Sequence, residues 1–147
     1  MTTLADLLLA PARRDALIAR IAQWIEDYVA RLPGLRGMAL RAGLAAAQAA
    51  RPDAVPRGVR RLLPDFAAAL EPFWQRFRAS GERDFGEYLR RHAPEASAAM
   101  MAEVDARMAG TSHRALAAAY RRLRGTLAAE LERQLPDVAR MIGRTLA

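Results

Sequence analysis

The 147-residue chain contains no cysteine, no lysine and no asparagine. Without cysteine there is no disulfide, no thiolate metal site and no cysteine nucleophile, a composition that suits a reducing cytoplasm. Without lysine there is no phosphate-binding Walker position, and Gly34, Gly37 and Gly43 straddle a helix boundary rather than a strand-to-helix turn. Histidine is confined to His92 and His113, which lack the i, i+4 spacing of a helical metal pair, and no Glu-x-x-His motif occurs. Glu95 and Glu103 are acids that a fold would have to bring to those imidazoles, and nothing in their spacing does so. His92, in the final turn of a predicted helix, reads instead as a cation complementing the helix dipole. These absences leave no catalytic constellation and predict a non-enzymatic protein with no cofactor and no metal.

Long apolar runs are missing as well. Arginines and acids punctuate every helical stretch, so no transmembrane segment is expected. Met1 to Pro11 is leucine-rich but has no positive n-region and is interrupted by Asp6, which argues against a signal peptide. A cytoplasmic location is the expectation.

What is present is arginine and alanine. All 23 basic residues are arginine, alanine fills 34 positions, and the net charge is +7. Arginine and alanine enriched together, while lysine and asparagine vanish, is the mark of GC-rich codons, so the residue types are no nucleic-acid signature. Their positions are more informative. Between Arg31 and Arg61 seven arginines accompany one acid, Asp53, and between Arg107 and Arg124 five arginines and His113 accompany none. Arg57, Arg60, Arg61, Arg114, Arg121 and Arg122 are therefore the candidate polyanion surface, without any recognised reading motif for nucleic acid.

Periodicity predicts an all-α, compact single-domain bundle of about six to eight helices over residues 1–147, several short and proline-initiated. Thr3 caps a short first helix, and Pro11 opens a long one to about Arg31 whose buried stripe runs through Leu17, Ile18, Ile21, Ile25, Tyr28, Val29 and Leu32. Pro33-Gly34 stops it. A second, alanine-rich stretch spans Leu35 to Ala50, and its small side chains permit close helix approach. Pro56 begins the next helix, Leu63-Pro64-Asp65 restarts the chain, and Pro72 is expected to kink or divide Phe66 to Arg78. After the Ser80-Gly81 hinge come a short helix near Asp84 to His92 and another from Pro94 to Ala109, with Met100, Met101, Val104 and Met108 inward. Leu116, Tyr120, Leu123, Leu127, Leu131 and Leu135 form the cleanest stripe, on a helix from His113 to Leu135. Leu135-Pro136-Asp137 then repeats the earlier tripeptide device and starts a last helix.

Six of nine aromatic residues lie between Phe66 and Tyr88. Phe66, Phe73 and Phe77 recur at helical spacing, which favours a core where two short helices meet; the alternative is an apolar pocket or groove formed by Phe73, Trp74, Phe77, Phe85 and Tyr88.

Leu4-Ala5-Asp6-Leu7-Leu8-Leu9 followed by Pro11 and Arg14, Arg41-Ala42-Gly43, and Leu63-Pro64-Asp65-Phe66 through Pro72-Phe73-Trp74 and Phe77 resemble an uncharacterised family of small helical bacterial proteins, a domain of unknown function. The resemblance implies a stand-alone helical domain and transfers no catalytic residue. By elimination the leading expectation is a protein-interaction or self-associating module. The alternatives are a polyanion-binding module and a carrier of a small apolar ligand between helices.

Overall fold

A computed structural model describes residues 2–146 and contains seven α-helices and no strand among them. Helix α1 (Leu4–Leu8) is opened by a capping box in which the Thr3 hydroxyl accepts from the Asp6 N–H and the Asp6 carboxylate accepts from the Thr3 N–H. The Leu4 N–H is donated to Glu71 at 2.7 Å, which ties α1 to the middle of the chain. Pro11 begins α2 (Pro11–Arg31), where its missing N–H costs nothing. Gly34, at a φ of 76°, turns the chain into α3 (Gly34–Ala50). Helix α4 is Ala54–Ser80 and ends on Gly81 at a φ of 78°. Asp84 caps α5 (Phe85–Arg91) by accepting from the Glu87 N–H; α6 is Ala93–Ala109 and α7 is Arg114–Leu146.

The all-α expectation holds, but the proline-based divisions do not. Pro64 and Pro72 lie inside α4, and Pro136 lies inside α7. Each proline removes one i→i−4 bond, freeing the carbonyls of Arg60, Ala68 and Glu132. Those three residues are all exposed, so water satisfies the carbonyls, while Leu63, Ala67, Leu70, Phe73, Trp74 and Phe77 hold α4 to the core on its other side. Solvation on one face and burial on the other keep the helix continuous.

The main core joins α1, α2 and α4 to α5, α6 and the C-terminal part of α7, with Leu4, Leu8, Leu17, Leu70, Leu89 and Leu135 almost fully buried. Helices α6 and α7 form an antiparallel hairpin; Asp105 of α6 meets Arg124 of α7, and residues from Ser97 to Glu132 line the groove between them. The first half of α7 reaches past this core. Its leucine stripe is correspondingly less buried than its periodicity predicts: Leu116 is 47% exposed, and Tyr120, Leu123, Leu127 and Leu131 are half-buried. On α6, Met100 and Met101 are buried as expected, whereas Val104 and Met108 are only half-buried. A small second cluster, Val29, Leu32 and Leu40 with Leu44, Leu123 and Leu127 against it, seats α3 between the C-terminal end of α2 and the first half of α7.

Candidate functional site

The arginines singled out by local charge excess divide into engaged and free groups. Arg57 lies 3.9 Å from Asp53, and Arg60 lies 3.3 Å from Asp15 of α2. Arg107 pairs with Asp65 across α6 and α4, and Arg124 forks onto Asp105 at 2.8 and 2.7 Å. Arg61, Arg114, Arg121 and Arg122 are exposed with no ion pair among the described residues. Of these eight arginines, Arg57 pairs with an acid four residues away, and Arg60, Arg107 and Arg124 pair with acids outside their own stretches. Around Asp105 the neutralisation is strong: bonds from Arg124 and from the Tyr120 hydroxyl hold its pKa down at about 2. Burial, with the Asp105 bond added, pushes Tyr120 up to about 12.

Phe73, Trp74, Phe77, Phe85 and Tyr88 are all buried and pack ring on ring as core rather than around an open groove. Trp74 meets Phe85 edge-on at 5.1 Å, and Phe77 lies 5.2 Å from Phe85 and 5.8 Å from Tyr88. The Trp74 indole N–H has no hydrogen-bond partner among the described residues, so this tryptophan serves as apolar filling. His92 sits against Tyr88 at 4.5 Å and caps the same cluster; His113 is exposed, and no group of three metal-ligating side chains converges among the described residues.

A charged junction that the sequence reading passed over joins three helices. Glu130 of α7 is 5% exposed. It accepts from the Tyr28 hydroxyl of α2, and its Oε1 lies 2.7 Å from Arg36 Nη1 of α3 as an ion pair outside hydrogen-bond alignment, with Arg133 at 3.9 Å. Burial raises the Tyr28 pKa, and the Glu130 carboxylate adds to the shift. The signal was present in the spacing: Leu123, Leu127, Glu130 and Gln134 follow alternating fours and threes, so an acid falls on the edge of the leucine stripe.

Helix α3 turns all its polar side chains back toward the protein. Arg36 reaches Glu130, Arg41 donates to the carbonyls of Leu32 at 2.7 Å and Val29 at 3.3 Å, and Gln48 donates to Glu26 at 3.0 Å. Arg36 stays 43% exposed at the side of the helix beside its pair with Glu130, and the outer face itself carries no charged side chain. Leu35 and Met38, 82% and 60% exposed, are followed at helical spacing by exposed Ala39, Ala42, Ala45, Ala46 and Ala49. On the inner side α3 approaches its neighbours closely: a Cβ at Gly43 would stand 3.1 Å from Leu123 Cδ1, and one at Gly37 would overlap the Leu32 carbonyl oxygen.

An apolar cleft of about 320 Å³ lies between α2, α4 and α7. Its floor is formed by buried Leu8, Val59, Leu63, Leu70, Met100 and Ile142, and its rim by half-buried residues including Trp24, Val55, Gly58, Leu62 and Met141. Of the candidate aromatic positions only Phe66, outside the five assigned to a groove, lines it. Trp24 supplies the single side-chain N–H or O–H of the lining, and its ring stacks on Tyr28 at 5.4 Å. At about 24 cal/mol per Å³, a sealed and unfilled void of this volume would cost about 8 kcal/mol, comparable with the whole stability of a small domain. Opening at the rim relieves part of that cost. The polar groove between α6 and α7, about 390 Å³ and lined by Met101, Asp105, Arg124 and Glu132 with Ser97 and alanines between them, has Asp105 and Arg124 paired with each other.

No helix among the described residues is long and apolar enough to cross a membrane. Residues 4–146 match a family of unknown function, DUF6918. No curated protein and no solved structure matches the chain.

Proposed function

We propose, for a chain that belongs to the family of unknown function DUF6918, a self-associating helical module whose contact surface is the outer face of α3. The observation that carries this reading is the engagement of Arg36, Arg41 and Gln48 by partners to the side of that face, which leaves Leu35 and Met38 in solvent beside a row of alanines. In a chain of net charge +7, two copies repel unless they meet where charge is absent. The face also suits itself. An antiparallel two-fold about Ala42 places Leu35 against Ala49, Met38 against Ala46 and Ala39 against Ala45 of the other copy, so each large side chain meets a small one and alanines meet at the centre. Opposed helix dipoles favour the same orientation. A helix of 17 residues is about 25 Å long, which gives a contact at the small end of specific interfaces and an association that depends on concentration.

Light scattering with multi-angle detection, from low micromolar to near-millimolar protein, tests this. A mass rising from monomer to dimer is expected, with Ala42→Glu and Met38→Glu remaining monomeric at unchanged melting temperature. Ala42→Glu brings two like charges together on the symmetry axis. A strict monomer at high concentration, or a dimer that survives both substitutions, refutes the proposal.

A further inference from the structure

We infer that the cleft between α2, α4 and α7 is a binding site for a single hydrocarbon chain of about ten carbons, carried by an amphiphile whose polar end stays at the rim. The site shares no lining residue with the outer face of α3, so the two proposals stand or fall separately.

A small molecule fits: at about 30 Å³ for each water-sized group, the space takes on the order of ten methylenes. Shape then selects a chain over a ring. The lining follows α4 from Ala54 to Leu70, about 24 Å at 1.5 Å per residue, so the walls offer contacts along the direction of the helix that an extended chain can follow. Lining chemistry selects an apolar occupant, because water needs two to four polar partners and the walls offer one indole N–H, from Trp24. Met100 and Met141 give the walls side chains that adjust to an irregular chain. No charged side chain lines the cleft, so a carboxylate, phosphate or hydroxyl end must remain outside, at the rim that Trp24 helps to form.

The test uses n-decanol and decanoate as separate probes, titrated below micellar concentration and followed by calorimetry and tryptophan fluorescence. Full-length Trp74→Phe/Ala42→Glu protein, excited at the red edge of tryptophan absorption, leaves Trp24 as the sole tryptophan and removes the α3 surface from the signal. Trp74 has no hydrogen bond to lose. Saturable one-to-one binding of both probes with a shift in Trp24 emission is expected. Tighter binding of decanoate would place a cationic group at the rim, and equal binding would show that the chain alone is recognised. Gly58→Leu is the blocking variant. A Cβ at Gly58 meets nothing within 4 Å, so the added side chain is accommodated while it fills the cleft, and helix propensity improves. Binding at least tenfold weaker at an undiminished melting temperature is expected. Absence of saturable binding for both probes overturns the inference, as does unaltered affinity in Gly58→Leu.

Discussion

Gly37→Ala and Gly58→Ala make the same chemical change in the interior of two helices, and helix propensity alone predicts that each stabilises by about 0.5–1 kcal/mol. Their surroundings predict opposite signs. Gly58 faces open space, so the propensity gain is expected in full. At Gly37 the new methyl would overlap the Leu32 carbonyl oxygen, stand 2.6 Å from the carbonyl carbon and lie 2.9 Å from Arg41 Nη1. The obstacle is backbone and cannot rotate away, so α3 must move off the end of α2. Overpacking of this kind costs about 1–3 kcal/mol. The movement also breaks the bonds of Arg41 to the Leu32 and Val29 carbonyls, about 1 kcal/mol each for a partly exposed donor. Set against the propensity gain, the net loss is about 2–4 kcal/mol, or roughly 6–15 °C in melting temperature for a domain of this size. Urea melts of both variants give the free energies, and amide hydrogen exchange over residues 34–50 locates the loss. A Gly37→Ala protein as stable as the wild type, with α3 amides equally protected, would refute the reasoning about close approach.

Leu135, fully buried in α7 beside Pro136, should lose about 2–5 kcal/mol as Leu135→Ala, measured by denaturant unfolding; a loss below 1 kcal/mol would mean that the second half of α7 is not packed as described. Asp105 has its pKa lowered from 3.8 to about 2 by Arg124 and Tyr120, so its contribution to stability is complete above about pH 4 and disappears as pH falls through about 2. Asp105→Asn should accordingly have a flatter melting temperature profile between pH 4 and 2, and an unchanged slope would show that the pair does not form in solution. Tyr120 works in the opposite direction: raised from 10.0 to about 12, it favours the folded state below pH 10, and that contribution is lost as pH rises through 12. Absorbance at the tyrosinate band, compared with Tyr120→Phe, reads this directly.

Much of the architecture is written in local chemistry. Thr3, Pro11, Pro33-Gly34 and Gly81 mark real helix ends because each acts on the backbone within a turn of itself. Pro64, Pro72 and Pro136 mislead because their effect depends on which face they occupy, and a proline whose orphaned carbonyl reaches water does not need to end a helix. Charge excess along the chain misleads for a related reason: Asp15 and Asp65, which meet Arg60 and Arg107, lie 45 and 42 residues away in sequence. The uncharged face of α3 was half visible, since the run of alanines is plain while the inward turn of Arg36 and Arg41 is a tertiary fact. An apolar site between helices could be offered only as an alternative and could not be located, because the cleft is made by the spaces between helices rather than by any one pattern.

Trp24 belongs to two neighbourhoods at once. One side of its indole borders the cleft, and its face stacks on Tyr28, whose hydroxyl meets the carboxylate that holds Arg36 of α3. The cleft and the helix that carries the exposed apolar face are therefore joined by an unbroken series of contacts through the buried carboxylate. Linkage makes any such connection symmetrical: if a chain entering the cleft alters the free energy of docking α3 by some amount, then docking α3, or pairing it with a second copy, alters the affinity of the cleft by the same amount. Two sites that share no residue would then read each other's occupancy through one tryptophan and one glutamate.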